Sequence, residues 1–589
     1  MSRIARRIAP LLSVAITALA LGGAAVGCAD ENEPSTWVKR LDDPITRPAA
    51  VVRLVQFFDD KMSTAKDNRD APEVKTLLEE IVPPMTERCV GADLDDKTRA
   101  KLVKFLADAR DPKAEACYVK VLKDWKPESK EAETNVHWVA RAVGAMKLKA
   151  AAGPLMDVFT NLKVSKLKQE GELYRDVHDA MIAILDPAWE AGLIERLSHP
   201  IADRKDVATF RDEVYWQATS AELLGHLKSA GAVKPLIKVV LSPIKADIAP
   251  TAINALIKIG KPAVAPTIAL LKSEDKELME YSKAENLKVA AGPDGKVPES
   301  AQKAAATAHI GAAAIILATI GREEAGPALL GALGSLDKGD DLSRAVIARE
   351  LVKLPKTPEI VKAFQDVYEH TPTSLSIPPG NGARESLLES AGYFFDASLV
   401  PWIVKTAIDL KGEAEDVDSI RGSSLQTALK LMTPDQAGDV EKLFSVKANG
   451  PDGKQTTLGK AYEKENKITK DLLAACGTKV DCYFDKLVSP AAQAQDTQFM
   501  GIKSAYMIGI YGGAGARQKL VDVMPKLSNA ALRFIAVQII DHFSPKGDPK
   551  IADELQKIVD AGEASKDANR MASNAPFKTV IYRLHARSQ

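Results

Sequence analysis

Residues 247–272 read DIAPTAINALIKIGKPAVAPTIALLK. Ala252, Leu256 and Ile259 recur at i, i+4 and i+7, Gly260 and Pro262 interrupt the pattern, and Val264, Ile268 and Leu271 resume it at the same spacing. Apolar residues every three to four positions mark one face of an amphipathic helix, and a Gly-x-Pro break between two such runs marks a tight turn. The stretch predicts a helix hairpin. Neither helix can bury its single apolar stripe alone, so the pair requires another pair stacked against it, and a chain of such pairs is a solenoid.

The same unit recurs with drift on both sides. Helical segments alternate with short breaks from about residue 37 to 561, and pairing them gives roughly a dozen units of about forty residues. A proline near the start of the second helix anchors the register at Pro154, Pro235, Pro266, Pro327 and Pro401. Proline is tolerated in a first helical turn, where its missing N–H would be unpaired in any case, so its return marks helix starts. Residues 98–108 with 113–125, 502–511 with 517–527, and 530–543 with 549–559 keep the pairing without that proline. The expected fold class is all-α, an α-solenoid of stacked antiparallel helix pairs held together by neighbours in sequence.

Two interruptions share Pro-Asp-Gly-Lys, at 293–296 and 451–454. Pro fixes φ, Asp bonds its own backbone and Gly accepts positive φ, so both read as tips of loops inserted near 273–299 and 446–460, the longer of which is expected to prolong one helix first. The segment 563–589 opens polar, ends in Phe577-Lys578-Thr579-Val580-Ile581-Tyr582, and reads as a cap or tail over the exposed end of the stack. The core array is then 36–562.

A helix ending in Ile-Gly, a break, and a helix opening near Pro-Leu resembles the HEAT family, in particular the bacterial HEAT-like repeats related to phycobilisome lyases. The resemblance covers most of the chain and implies an architecture, with irregular period, the two insertions and several missing prolines as departures. Tetratricopeptide repeats would need a period near thirty-four residues and a Trp-Leu-Gly-Tyr constellation that the chain lacks.

The N-terminus carries an address. Arg3, Arg6 and Arg7 precede an almost uncharged apolar run over 8–26, which gives residues 1–27 the pattern of an export signal. Ala25-Val26-Gly27-Cys28 resembles the bacterial lipobox, with Ala25 where Leu is usual. That resemblance implies that Cys28 is lipidated and becomes the mature N-terminus, with residues 28–35 as a polar tether. Two or three acyl chains suffice for stable anchoring where one is marginal. Ala29, not Asp, follows the cysteine, which points to the outer membrane, facing the periplasm. Four further cysteines form two local pairs, Cys89 with Cys117 and Cys476 with Cys482. In an oxidising compartment they are candidate disulfides, the alternative being buried free thiols.

The composition excludes several classes of function. With 79 basic and 79 acidic residues and no concentrated basic run, nothing supplies the surface excess that a nucleic-acid binder needs. No histidine is followed by Glu, which removes H-E-x-x-H zinc sites, and the cysteine spacings are not those of a zinc ligand set. Asp176-Val177-His178-Asp179 reads as a solvated helix face, and Gly512-Gly513-Ala514-Gly515 as a turn. No catalytic residue, metal or cofactor is expected. The expected function is a lipid-anchored envelope scaffold that binds a protein or peptide along a surface made by second helices. The alternatives are a small-molecule or chromophore carrier, or a lyase-like enzyme, built on similar repeats, and a purely structural envelope protein. Replacing Cys28 by Ser is expected to move the protein from the membrane pellet to the soluble fraction, and unchanged retention in the pellet contradicts the lipobox reading.

Overall fold

The computed structural model describes residues 30–91, 94–127, 130–167, 172–292, 294–377, 380–411, 414–449, 455–565, 571 and 574–589. Cys28, the export signal and the second Pro-Asp-Gly-Lys tip lie outside them. The chain divides into two compact units, Met1–Pro154 and Leu155–Gln589.

The first unit contains α1 (Pro34–Arg40), α2 (Arg47–Thr64), α3 (Pro72–Gly91), α4 (Asp96–Ala109), α5 (Glu115–Asp124) and α6 (Lys130–Met146). Local chemistry sets the ends. Prolines occupy the first turns of α1 and α2, and the Asp95 carboxylate accepts from Thr98 N–H to cap α4. Cys89 on α3 and Cys117 on α5 are bonded, with Cα atoms 5.6 Å apart. Helix α7 (Ala152–Asn161) spans the boundary.

The second unit is a stack of helix pairs. They are α8 (Leu173–Ile184) with α9 (Glu190–Ser198), α10 (Val207–His226) with α11 (Val233–Leu241), and α12 (Ala249–Ile259) with α13 (Lys261–Leu271). After α14 (Lys276–Ala290) come α15 (Glu299–Ile320) with α16 (Ala325–Ser335), and α17 (Asp341–Leu351) with α18 (Pro358–His370). Then follow α19 (Ala383–Ala391) with α20 (Val400–Asp409), α21 (Ala414–Leu431) with α22 (Ala437–Phe444), and α23 (Glu463–Cys476) with α24 (Val480–Leu487). The short α25 (Pro490–Gln493) precedes α26 (Gln498–Tyr511) with α27 (Ala516–Val523), α28 (Ala530–His542) with α29 (Pro549–Ser565), and a final α30 (Asn574–Arg587). The fold is all-α, with stacked antiparallel helix pairs. In the hairpin that opened the reading, Ala252, Leu256, Ile259, Val264 and Leu271 are all buried. A fully buried Leu or Ile contributes about 1.5–3 kcal/mol. Pro235, Pro327 and Pro401 fall in first turns, but Pro266 stands inside α13, whose first-turn proline is Pro262.

The segment 273–299 is mainly helix: Asp275 caps α14 by accepting from Leu278 N–H and also pairs with Lys234 at 2.8 Å, and the described residues 291–292 and 294–298 form the loop. The 446–460 segment carries a hairpin of β3 (Lys447–Asn449) and β4 (Gln455–Thr457), after a smaller one of β1 (Ser376–Ile377) and β2 (Asn381–Gly382). The tail covers the last pair and also reaches the middle of the stack. Helices α10, α12, α15, α17, α19, α21, α26 and α28 pack one on the next, and α30 packs on α28 and α29 and also on α12 and α15. The first helices of successive pairs thus form a closed circuit, and the unit does not depend on sequence neighbours alone. Helix α15 is long and apolar enough to cross a membrane, but 56% of its apolar window is buried in this circuit.

Arginines seal the closure. Arg583 Nε donates to Thr319 O at 2.9 Å and its Nη1 to Asp541 Oδ2 at 2.5 Å. Arg587 Nε donates to Gly321 O at 2.9 Å and its Nη1 to Asp541 Oδ1 at 3.0 Å, while Arg322 Nη1 donates to Ala586 O at 2.6 Å. Gly321, at φ +71°, ends α15, and a Cβ there would sit 2.8 Å from Arg587 Nε, so the position requires glycine for both backbone and space. Removing one partner of a buried ion pair costs about 3–5 kcal/mol. Arg583→Met is therefore expected to lower unfolding stability by about that amount and to raise amide exchange in α12 and α15, more than 260 residues away in sequence. Unchanged exchange there contradicts the closed circuit.

Candidate functional site

The circuit surrounds a cavity of about 390 Å³. Its lining comes from α15 (Ile315), α17 and the following turn (residues 349–355), α19 and its exit (Ser390, Tyr393, Phe395), α28 (Phe534, Gln538, Asp541, His542) and α30 (Arg587). These are first helices and the closing helix, whereas the sequence placed the binding surface on second helices.

One wall is aromatic. Phe395 lies 5.2 Å from the His542 ring and 5.5 Å from Tyr506, and Tyr393 meets Phe534 edge-on at 6.0 Å between centroids. Phe395 adopts φ +47°, a conformation that costs a non-glycine residue about 1–2 kcal/mol. The next residue explains the sharp turn: Asp396 accepts from Ser398 N–H and pairs with Lys356 at 3.0 Å, fixing the start of the following helix. The Phe395 ring rests on Gly509 of α26, where a Cβ would meet it at 2.4 Å, so only glycine admits the ring.

The charged groups at the cavity are paired with one another. Glu350, 1% exposed, accepts from Arg349 Nε at 3.0 Å and Lys353 Nζ at 2.5 Å. Burial opposes its ionisation, yet Lys353 and Arg349 hold the carboxyl below the usual range. Asp541 receives both Arg583 and Arg587. Two neutral groups are left over: the Gln538 amide and the His542 ring nitrogens make no hydrogen bond to the described residues. Burial, reinforced by Lys356, pushes the His542 imidazole below its ordinary value, so it is uncharged at pH 7.

A second polar cluster ties α8, α10 and α12 to α30. His178 lies 2.9 Å from Asp179 Oδ1 and 3.1 Å from Glu222 Oε2, so this segment is not a solvated face; Asp176 and Val177 beside it are buried. Lys258 Nζ lies 2.7 Å from His226 Nε2 and 4.4 Å above the Tyr582 ring of α30. Burial disfavours charge on His178, but the bonds to Asp179 and Glu222 outweigh it and raise the ring to about 9. Burial lowers Lys258 to about 8.

The remaining sequence candidates fall as follows. Cys476 and Cys482, which flank the α23–α24 turn, are bonded with Cα atoms 5.5 Å apart. Gly512–Gly515 forms the turn between α26 and α27, with Gly513 at φ +59°. The sequence reading missed a set of cations that satisfy helix C-termini. Arg344 donates to Leu333 O, Arg384 to Glu369 O and Thr371 O, and Arg421 to Ala407 O and Leu410 O. Each arginine lies on a first helix and reaches the last carbonyls of the second helix before it. Their recurrence at positions 344, 384 and 421, close to the repeat period, was the available signal.

Fold and cavity together define a helical-repeat protein whose repeats are closed by its own C-terminal helix. No family model and no curated protein matches the chain. Among solved structures it is similar to a chain from a study of a phosphorylation switch in the cadherin and beta-catenin interaction, at 11% identity and TM-score 0.28, covering 94% of this chain and 99% of that one. It is also similar to importin beta, at 12% identity and TM-score 0.31, covering 92% and 83%, and to the karyopherin Kap121p, at 13% and 0.23, covering 95% and 72%. With TM-scores under 0.5, these likenesses assign no function.

His178 gives the cluster a pH signature. The folded state holds a proton that the unfolded state releases above about pH 6.5, so the contribution is complete below that pH and is lost as pH rises toward 9. Unfolding free energy is expected to fall by about 1.5 kcal/mol between pH 6.5 and 8 from this group. His178→Gln should lack that decline in a denaturant titration series, and an unchanged slope contradicts the assignment.

Proposed function

We propose that the chain is a lipid-anchored, periplasm-facing scaffold of helical repeats that binds a protein or peptide partner and is not itself a catalyst. The observation that supports binding over reaction is the use of charge at the cavity: Glu350 is engaged by Arg349 and Lys353, and Asp541 by Arg583 and Arg587. Groups held in such pairs fix geometry and are poorly placed to exchange protons with a substrate. In this reading Cys28 carries the lipid, and the six residues before α1 at Pro34 span at most roughly 20 Å, keeping the first unit close to the bilayer. Ala29 after the lipidated cysteine favours the outer membrane.

The cavity favours a second reading, a small-molecule carrier, because segments distant in sequence converge on a space within the range of about 300–1,000 Å³ typical of ligand pockets. One experiment separates the two. After crosslinking in intact envelopes and purification in detergent, the scaffold reading predicts a partner protein at fixed stoichiometry with the wild-type chain. A chain that purifies without a partner but with a small molecule bound contradicts the scaffold and favours the carrier.

A further inference from the structure

We infer that the cavity among α15, α17, α19, α28 and α30 binds an uncharged planar heteroaromatic ring with a hydrogen-bond donor and an acceptor on its edge. The inference rests on the carrier reading and adds the chemistry of the ligand. Tyr393, Phe395, Phe534 and His542 supply ring faces and edges, which favour a flat π-system over an aliphatic chain of equal area. Phe395 is placed in that wall by a turn at φ +47°, the conformation Arg110 and Leu185 also take before a capping Asp, and by the contact of its ring with Gly509.

The pairing of the charged side chains with one another disfavours an ionic ligand. Both carboxylates of the lining are already flanked by two cations each, and Arg587 donates to Gly321 O, Asp541 and Lys353 O. The polar groups of the lining that no described protein group engages by a hydrogen bond are Gln538, with an amide that both donates and accepts, and neutral His542, with one N–H and one lone pair. Both are partly exposed, so a ligand edge that bonds them is favoured over one that displaces their water without replacing its hydrogen bonds. They lie four residues apart on α28 and so share one side of that helix. Exposed Lys353, Pro355 and Pro545 at the lining mark the way in.

The test is equilibrium dialysis of the intact mature protein against lumichrome and adenine, with cyclohexanol, benzoate and benzyltrimethylammonium as comparators. Saturable binding of lumichrome or adenine is expected, weakened at least tenfold by Gln538→Leu and by His542→Phe in variants that keep the wild-type unfolding transition. Ser390→Phe, which narrows the cavity from α19 without touching either polar group, should weaken it independently. Equal or tighter binding of cyclohexanol or of either ion overturns the inference and leaves the carrier reading standing. Ring binding that survives all three substitutions also overturns it, and failure of every probe to bind overturns both.

Discussion

Every helix leaves its last carbonyls without an intrahelical partner, and a stack of short helices multiplies that problem. This protein answers it with basic side chains. Arg344, Arg384 and Arg421 each serve the second helix before them, and Lys245 donates to Leu197 O and His199 O at 2.9 and 2.8 Å. Lys503, fully buried, donates to Lys430 O and Met432 O, and burial holds it far below the usual lysine range. A cation at a helix C-terminus also meets the negative end of the macrodipole, a gain of up to about 2 kcal/mol in partly buried settings. Arg583 and Arg587 extend the same device from neighbouring helices to distant ones, and the single carboxylate of Asp541 bridges the two and offsets one of their adjacent positive charges.

That extension turns an open array into a circuit, and the circuit creates the cavity. In an open stack α28 would meet only α26 and its partner helix; here it faces α15 and α17 across a space closed by α30. The arrangement couples the extreme C-terminus to repeats near the middle of the chain, through Thr579 with Asn254 at 3.3 Å and Lys258 with Tyr582 at 4.4 Å. A ligand within the circuit would therefore sit against the closing helix itself, at Arg587.

The helix pairs were legible because their stripes are apolar and periodic, and the prolines at 235, 327 and 401 gave the register. Helix α14 was legible only as the prolongation of a helix, without its packing, since its buried face is Leu278, Ser282 and Glu285, and the two polar residues hide the period while Ser242 binds Glu285 at 2.6 Å. Pro266 misled because Ala-Pro-Thr there imitates a helix start, when the capping work falls to Gly260 and Pro262. The closing helix showed its own apolar positions but not its destination. Its long-range bonds lie 234 to 325 residues away, and no local pattern encodes which carbonyls an arginine will find. The cavity was illegible for the same reason, being assembled from five separated stretches.

The central claim is that the C-terminal helix closes the second unit onto its own middle repeats. Spin labels at exposed Lys261, at the start of α13, and at Gln589, whose side chain lies against Gly260, measure this directly by pulsed electron–electron resonance. The closed circuit predicts one narrow, short distance distribution that broadens when Arg583 and Arg587 are replaced. A broad, long distribution in the wild-type chain would show an open stack and contradict the account.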